Sequence, residues 1–482
     1  MKQAHIFDQR RTGVLLHVTS LPSGNLGADA YRFIDFLQQA GASIWQMLPL
    51  GPTHDDRSPY QCLSAHAGNN QLICIDMIKS QHWADADALT DAKISTLMAH
   101  AHRQFETRAD EVEKQAFAEF CHEQQYWLDD YVLFREIRHL NQETAWFDWP
   151  APLRDREPEA LEKVAEERET ALAIRRFEQF LFFCQWHNLR FYANARGVKL
   201  FGDMPIFVAH DSADVWAAPG LFTLDEKGLP TKVAGVPPDY FSKTGQRWGN
   251  PLYDWQKHID DNFNWWQQRL QTQLELFDLI RIDHFRGFEA CWEIPAECDT
   301  AVDGTWVVAP GDMLFESLLS YFGELPLVAE DLGLITPEVT ALREKYAMPG
   351  MKILQFAFGG DANNPYLPHQ QCQKSVTYTG THDNDTTLGW YEALDEHVKA
   401  HVHAYLGESS EPMPWLLIRT ALSSVSELAV IPFQDLLSLD SKHRMNVPGT
   451  TEGNWRWQFS WDMVKGNVAA RLKTMNELYG RH

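Results

Sequence analysis

The chain of 482 residues is short of cations, with 42 Lys and Arg against 66 Asp and Glu and a formal net charge of −24. Sequence-independent binding of DNA or RNA relies on clustered cations that displace counterions from phosphates, so no nucleic acid partner is expected. The same deficit argues against a basic membrane-surface protein. No apolar run approaches the roughly 18 residues of a membrane span, and the greasiest stretch, 415–433, is broken by Arg419 and Glu427. Residues 1–11 are polar and lack the apolar centre of a signal peptide. The seven cysteines form no C-x-x-C pair, which predicts reduced thiols in a cytoplasmic protein and no zinc site. Phosphate-cradling glycine motifs, a G-x-S-x-G elbow and an H-E-x-x-H zinc motif are all missing. His397 and His401 lie one helical turn apart, a pattern that fits a solvated face better than a metal site. No metal or organic cofactor is expected.

Aromatic residues, by contrast, are plentiful at 12%, with 18 Trp among them. So many rings need either a large core or a ligand that stacks on them, and sugars are such ligands. Short apolar runs with polar ends recur at 13–19, 43–49, 198–208, 279–283, 325–330, 351–358, 375–380 and 428–431. Buried parallel strands read this way. Eight of them, mostly separated by helix-length segments, predict an α/β fold of the (β/α)8 barrel type spanning residues 1–482.

Two segments are too long to be simple crossovers. Residues 80–196 carry Phe117, Phe120, Trp127, Tyr131 and Phe134, then Phe177, Phe180 and Phe183, at helical spacing. An inserted helical subdomain is predicted there, its aromatic stripes forming core. Residues 209–260 are rich in Gly, Pro and aromatic side chains. They read as an inserted loop region covering an active site.

Three acidic strand ends carry the chemistry. In Arg281-Ile-Asp283-His284-Phe, alternation places Arg281 and Asp283 on one face of the strand. A guanidinium beside a carboxylate favours the ionised form, the state a nucleophile needs. In Leu327-Val-Ala-Glu330, an apolar strand delivers a glutamate at its mouth, where desolvation favours the protonated acid. Thr379-Gly-Thr-His382-Asp383-Asn-Asp is the third. Neighbouring strand ends lie about 4.8 Å apart, close to the carboxyl spacing of about 5–5.5 Å that suits a retaining glycosidase. Each motif alone also suits a buried ion pair or a capping acid; three at the ends of one barrel favour a site.

Gly51-Pro with Ser58-Pro-Tyr60-Gln, Gly202-Asp203-Met-Pro-Ile, Val236-Pro-Pro-Asp239-Tyr-Phe-Ser, Arg281-Ile-Asp-His-Phe, Ala329-Glu-Asp-Leu-Gly, Thr381-His-Asp-Asn and Arg444-Met-Asn446-Val-Pro-Gly occur in that order along the chain. This set resembles the amylomaltases, the 4-α-glucanotransferases of glycoside hydrolase family 77, over residues 12–460. The resemblance implies that Asp283 is the nucleophile, Glu330 the acid/base and Asp383 the stabiliser of the oxocarbenium-like transition state. It implies that Arg281 supports Asp283 and that His284, His382 and Asp203 hold the donor sugar. Tyr60 would stack beneath that sugar, Gln246, Trp248 and Asn446 would contact neighbouring sugars, and Asp239 would sit on the covering loop. Asn70 and Cys62 depart from the family pattern beside the Tyr60 motif. The expected substrates are α-1,4-glucans and maltooligosaccharides, with glucose as an acceptor. An α-glucan hydrolase with the same acids, or a non-catalytic glucan-binding protein, remain the alternatives that composition leaves open.

Overall fold

Every apolar run marked as a strand enters one closed, all-parallel barrel. The computed structural model describes residues 6–90, 93–238, 242–407 and 409–482. Its strands are β1 (Arg11–Leu15), β2 (Ile44–Gln46), β3 (Lys199–Pro205), β4 (Lys232–Val236), β5 (Gln246–Pro251), β6 (Leu279–Asp283), β7 (Ala290–Pro295), β8 (Thr305–Val308), β9 (Leu327–Ala329), β10 (Gly350–Ile353), β11 (Ser375–Tyr378) and β12 (Leu428–Pro432). The barrel runs β1-β12-β11-β10-β9-β6-β3-β2, which is chain order once β4, β5, β7 and β8 are set aside. The strands are shorter than their apolar runs. Thus β9 stops at Ala329 and β10 at Ile353, because the chain turns away as soon as it leaves the barrel wall.

Both faces of the wall are buried, which is why the strands read as near-continuous apolar runs. Along β6, Leu279 faces the barrel interior with Phe201, Val328 and Met351. Ile280 and Ile282 face outward under the helices. In β3 the outward position is Gly202, where the Phe277 ring lies 2.2 Å from the place a Cβ would take. A side chain there would push the covering segment off the wall.

Between β2 and β3 the chain forms the helices Ile94–Arg108, Glu111–Glu123, Gln125–Leu140, Pro158–Glu167 and Glu169–Ala195, along with shorter pieces. Their aromatic stripes meet: Phe105 packs on Phe177 at 4.9 Å and Phe117 on Phe180 at 5.3 Å between ring centroids. The 27-residue helix Glu169–Ala195 serves two neighbours. Phe177 and Phe180 belong to this cluster, while Trp186 packs edge-on against Phe277 and donates its indole N–H to the Leu276 carbonyl at 2.8 Å. It also braces the loop that follows β2. The Gln179 amide pairs with both backbone groups of Gly68 at 2.8 and 3.0 Å. Gln185 does the same with Cys74 at 2.7 and 3.0 Å.

The region expected to be an irregular loop, 209–260, differs from that expectation. It contains β4 and β5, which join β7 and β8 in a four-stranded sheet of order β5-β4-β7-β8. Local pattern hides this sheet because β4 pairs with a strand some sixty residues on, Lys232 facing Pro295. At Gly235 the Gln246 carbonyl oxygen lies 2.2 Å from the place a Cβ would take, which leaves no room for a side chain.

Candidate active site

Strand register assembles the acids. Across β3 and β6, Asp203 lies opposite Arg281 and Pro205 opposite Asp283. Across β6 and β9, Ile282 lies opposite Ala329, so the next residues, Asp283 and Glu330, emerge side by side. The Glu330 N–H donates to the Ile282 carbonyl at 3.0 Å, continuing that ladder one step past the strand. Alternation does the rest: Leu279, Arg281 and Asp283 share the inner face, and the last two reach the barrel mouth.

Arg281 is the hub. One guanidinium nitrogen donates to both oxygens of the buried Asp203 at 2.8 and 2.7 Å. The other lies 2.9 Å from Asp283 Oδ1. Burial opposes the Arg281 charge, but Asp203 and Asp283 outweigh it and hold the group well above its ordinary value. Asp203 also accepts the Tyr60 hydroxyl at 2.7 Å. That hydroxyl lies 2.9 Å from His382 Nε2, and the two rings stack at 5.3 Å.

Glu330 behaves differently. Desolvation pushes its carboxyl up to about 7, helped by Asp283 and opposed by Arg281 and by the N–H groups of Leu332 and His284. Those N–H groups donate to its two oxygens at 3.0 and 2.7 Å, so the side chain is aimed as well as tuned. His284 supplies its N–H from a left-handed conformation, φ +52°, uncommon for a residue with a side chain. Its ring is neutral, since burial lowers its pKa to about 4. Its Nε2 is buried with no hydrogen-bond partner among the described residues.

Asp383 follows β11. It lies 3.2 Å from His382 Nε2 and accepts the Asn446 amide at 2.6 Å. Desolvation works to raise its pKa, but His382 and Asn446 overcome this and hold the carboxyl well below the usual range. The mouth therefore presents one carboxyl poised near neutrality, one held ionised and one paired to a guanidinium. An arrangement of this kind can supply both a proton donor and a carboxylate nucleophile, the two groups that cleaving and forming a glycosidic bond requires.

The family model described as 4-alpha-glucanotransferase, glycoside hydrolase family 77, matches residues 16–463. The chain belongs to this family. A 4-alpha-glucanotransferase from Thermus thermophilus is 48% identical over 491 residues, covering 97% of this chain and 98% of the relative. Another from Synechocystis sp. is 46% identical over 499 residues, covering 99% of each. The structure of amylomaltase from Streptococcus agalactiae in complex with acarbose aligns with a TM-score of 0.94 at 35% identity, over 98% of this chain and 100% of that one. The activity is that of a 4-alpha-glucanotransferase, and its substrates are α-1,4-glucans.

Around this family's mouth the remaining candidates fall into place unevenly. Trp248, on β5, packs its ring edge-on against His284 at 4.8 Å and donates to Gln246 Oε1 at 3.1 Å. Gln246 is exposed on the same strand. Asn446 is buried and already engaged with Asp383. Asp239 lies outside the described residues. The sequence reading missed Trp455, whose ring lies 5.9 Å from Tyr60 and 6.0 Å from His382. It also missed the buried Asp435 behind the His382 segment. Neither sits in a patterned run, although Trp455 shares its loop with Asn446. Among the described residues no helix is long and apolar enough to cross a membrane.

Proposed function

We propose that this enzyme transfers α-1,4-glucanyl segments by a retaining double displacement, with Asp283 as nucleophile and Glu330 as acid/base. The observation that carries this is the β6–β9 register, which seats the two carboxyls on adjacent strand ends. Adjacent strands are about 4.8 Å apart, a spacing that suits direct attack by a carboxylate and leaves little room for an intervening water.

In the first step an Asp283 oxygen bonds to the anomeric carbon from the β face as the glycosidic bond breaks. The bonding pair leaves with the glycosidic oxygen, which takes the Glu330 proton and departs as a free 4-hydroxyl. The glucanyl piece stays as a β-ester of Asp283. In the second step Glu330, now a carboxylate, removes the proton from an acceptor 4-hydroxyl. That oxygen bonds to the anomeric carbon and Asp283 leaves, so the product is α again. Asp383, held ionised, hydrogen-bonds ring hydroxyls of the donor sugar and favours positive charge at its ring. Arg281 orients Asp283, and His284 offers its unpartnered Nε2 to a sugar hydroxyl. Tyr60 and His382 hold the same sugar, with Asp203 locking the Tyr60 hydroxyl. Trp248 and Gln246 flank the acceptor side. Maltooligosaccharides serve as donors and glucose as an acceptor. No cofactor takes part in these steps.

Incubation with maltotriose tests this. Glucose together with a ladder of longer maltooligosaccharides is the expected result; shorter sugars alone would sink transfer. Trapping with a 2-fluoro-glucosyl fluoride donor should add one glucosyl unit to the peptide containing Asp283.

A further inference from the structure

The segment 379–387 leaves β11, carries His382 and Asp383 over the mouth, and returns to a helix, Thr387–Ala393. Its two ends converge on one side chain that touches no part of the mouth described above. Asp435 follows β12 in the short helix Phe433–Leu436 and is 1% exposed. Its Oδ2 accepts the hydroxyls of Thr379 and Thr387, each at 2.6 Å. Its Oδ1 accepts the Thr387 N–H at 2.7 Å. Thr379 and Thr387 are themselves fully buried, so water cannot replace these bonds.

Between the two anchors the segment is stiffened by its own side chains and by neighbouring ones. Asn384 Oδ1 accepts both the N–H and the hydroxyl of Thr381 at 2.9 Å. Gln355 donates to the Asp385 carbonyl at 2.8 Å, and Ser441 to the Asp385 side chain at 2.8 Å. Gln355 also bridges Thr379 and Asp385 and Arg444 holds the Asp383 carbonyl at 3.0 Å, but the two end residues, Thr379 and Thr387, are joined directly through the Asp435 carboxylate. We propose that Asp435 is a positioning residue for glucanyl transfer: by clamping Thr379 and Thr387 together it sets the placement of His382 and Asp383 over the donor sugar. This rests on the proposed roles of those two residues.

Asp435→Asn preserves shape but turns one acceptor oxygen into an N–H facing buried donors, so the clamp opens. Two measurements test it. Hydrogen exchange of the 380–386 amides needs no ligand and is expected to be faster in the variant by about tenfold or more; unchanged exchange overturns the clamp. With maltotriose as donor, kcat/KM is expected to fall about 10- to 100-fold, the cost of displacing a positioned group by about an ångström.

A double-mutant cycle on acarbose affinity then separates positioning from general loosening. Asp435→Asn should weaken acarbose about tenfold in the parent and by less than about twofold in a His382→Ala/Asp383→Ala background. Equal losses in both backgrounds overturn the proposal, as does a lowered Tm with parent affinity retained. A background that binds acarbose as tightly as the parent would instead count against the donor-sugar roles of His382 and Asp383, and the exchange result then decides the clamp alone. Should Asp435→Asn not fold, Thr379→Val removes one clamping donor and is read in the same way, with a loss of about threefold.

Discussion

The helical insertion and the barrel mouth each bury an ion cluster, but with opposite stoichiometry. In the insertion Glu136 is gripped by two guanidiniums, Arg168 at 2.6 Å and Arg175 at 2.9 Å, and its buried neighbour Glu178 feels Arg175 and Arg135, so three cations serve two acids. At the mouth a single guanidinium, Arg281, serves Asp203 and Asp283, with Glu330 close enough to feel it. Surplus cations leave a carboxylate with nothing to do but hold helices together. At the mouth, desolvation, helped by the neighbouring Asp283 and opposed by Arg281, leaves Glu330 able to keep a proton near neutral pH. The same side chains are used in both regions, and burial together with the charge ratio separates a brace from a reagent.

The largest test of that contrast is Asp283→Asn, which removes the proposed nucleophile. Transfer from maltotriose should fall by roughly 10⁴-fold or more, while calorimetric affinity for acarbose stays near that of the parent. Next comes the hub. Arg281→Lys keeps the charge but cannot pair two carboxylates at once, and kcat should drop about 100- to 1,000-fold. The matched change in the insertion, Glu136→Gln, should cost roughly 1–3 kcal/mol in denaturant unfolding and leave kcat/KM within about twofold of the parent. Comparable activity losses for the two variants would erase the distinction.

The pH profile is a finer probe. In the proposed mechanism Glu330 must be protonated to release the leaving chain, and its pKa is raised to about 7. The alkaline limb of kcat/KM should therefore bend near pH 7 and fall about tenfold per unit above it. Stability follows the same proton. In the window from the ordinary glutamate pKa up to about 7, the folded protein binds the proton and the unfolded chain does not, so the contribution of Glu330 to stability declines as pH rises. Glu330→Gln should abolish that slope in unfolding experiments across pH 5–8. The smallest effect belongs to the rim: Gln246→Ala should raise KM for a long maltooligosaccharide donor by about threefold, one exposed hydrogen bond's worth, with kcat unchanged.

Much of this arrangement was legible in the chain itself. Eight apolar runs gave the barrel because a wall buried on both faces needs near-continuous apolar strands. The acids stood out because each ends such a run, where barrel strands open to solvent. Less visible was anything that depends on residues far apart. The β5-β4-β7-β8 sheet is built from short strands interrupted by Gly and Pro, paired across tens of residues. Asp435 looks like any acid after a strand until Thr379 and Thr387 are seen to converge on it. The left-handed turn at His284, which aims an N–H at Glu330, leaves no mark in a sequence lacking glycine there.

The pairing of Gln179 with Gly68 and of Gln185 with Cys74 has a consequence for how the two segments can change length. Six residues separate the glutamines, about 9 Å of helix rise, and six separate their backbone partners. Helix and loop thus act as two rulers ruled to the same interval. Insertion or deletion of one residue between either pair would swing the second glutamine about 100° around the helix axis or shift its target, so that the two fastenings could no longer be made at once. Substitution is barred at the fastenings themselves, where a side chain at Gly68 would meet the Phe182 ring 2.0 Å from its Cβ; a change in count between 68 and 74 is barred whatever the residues between them.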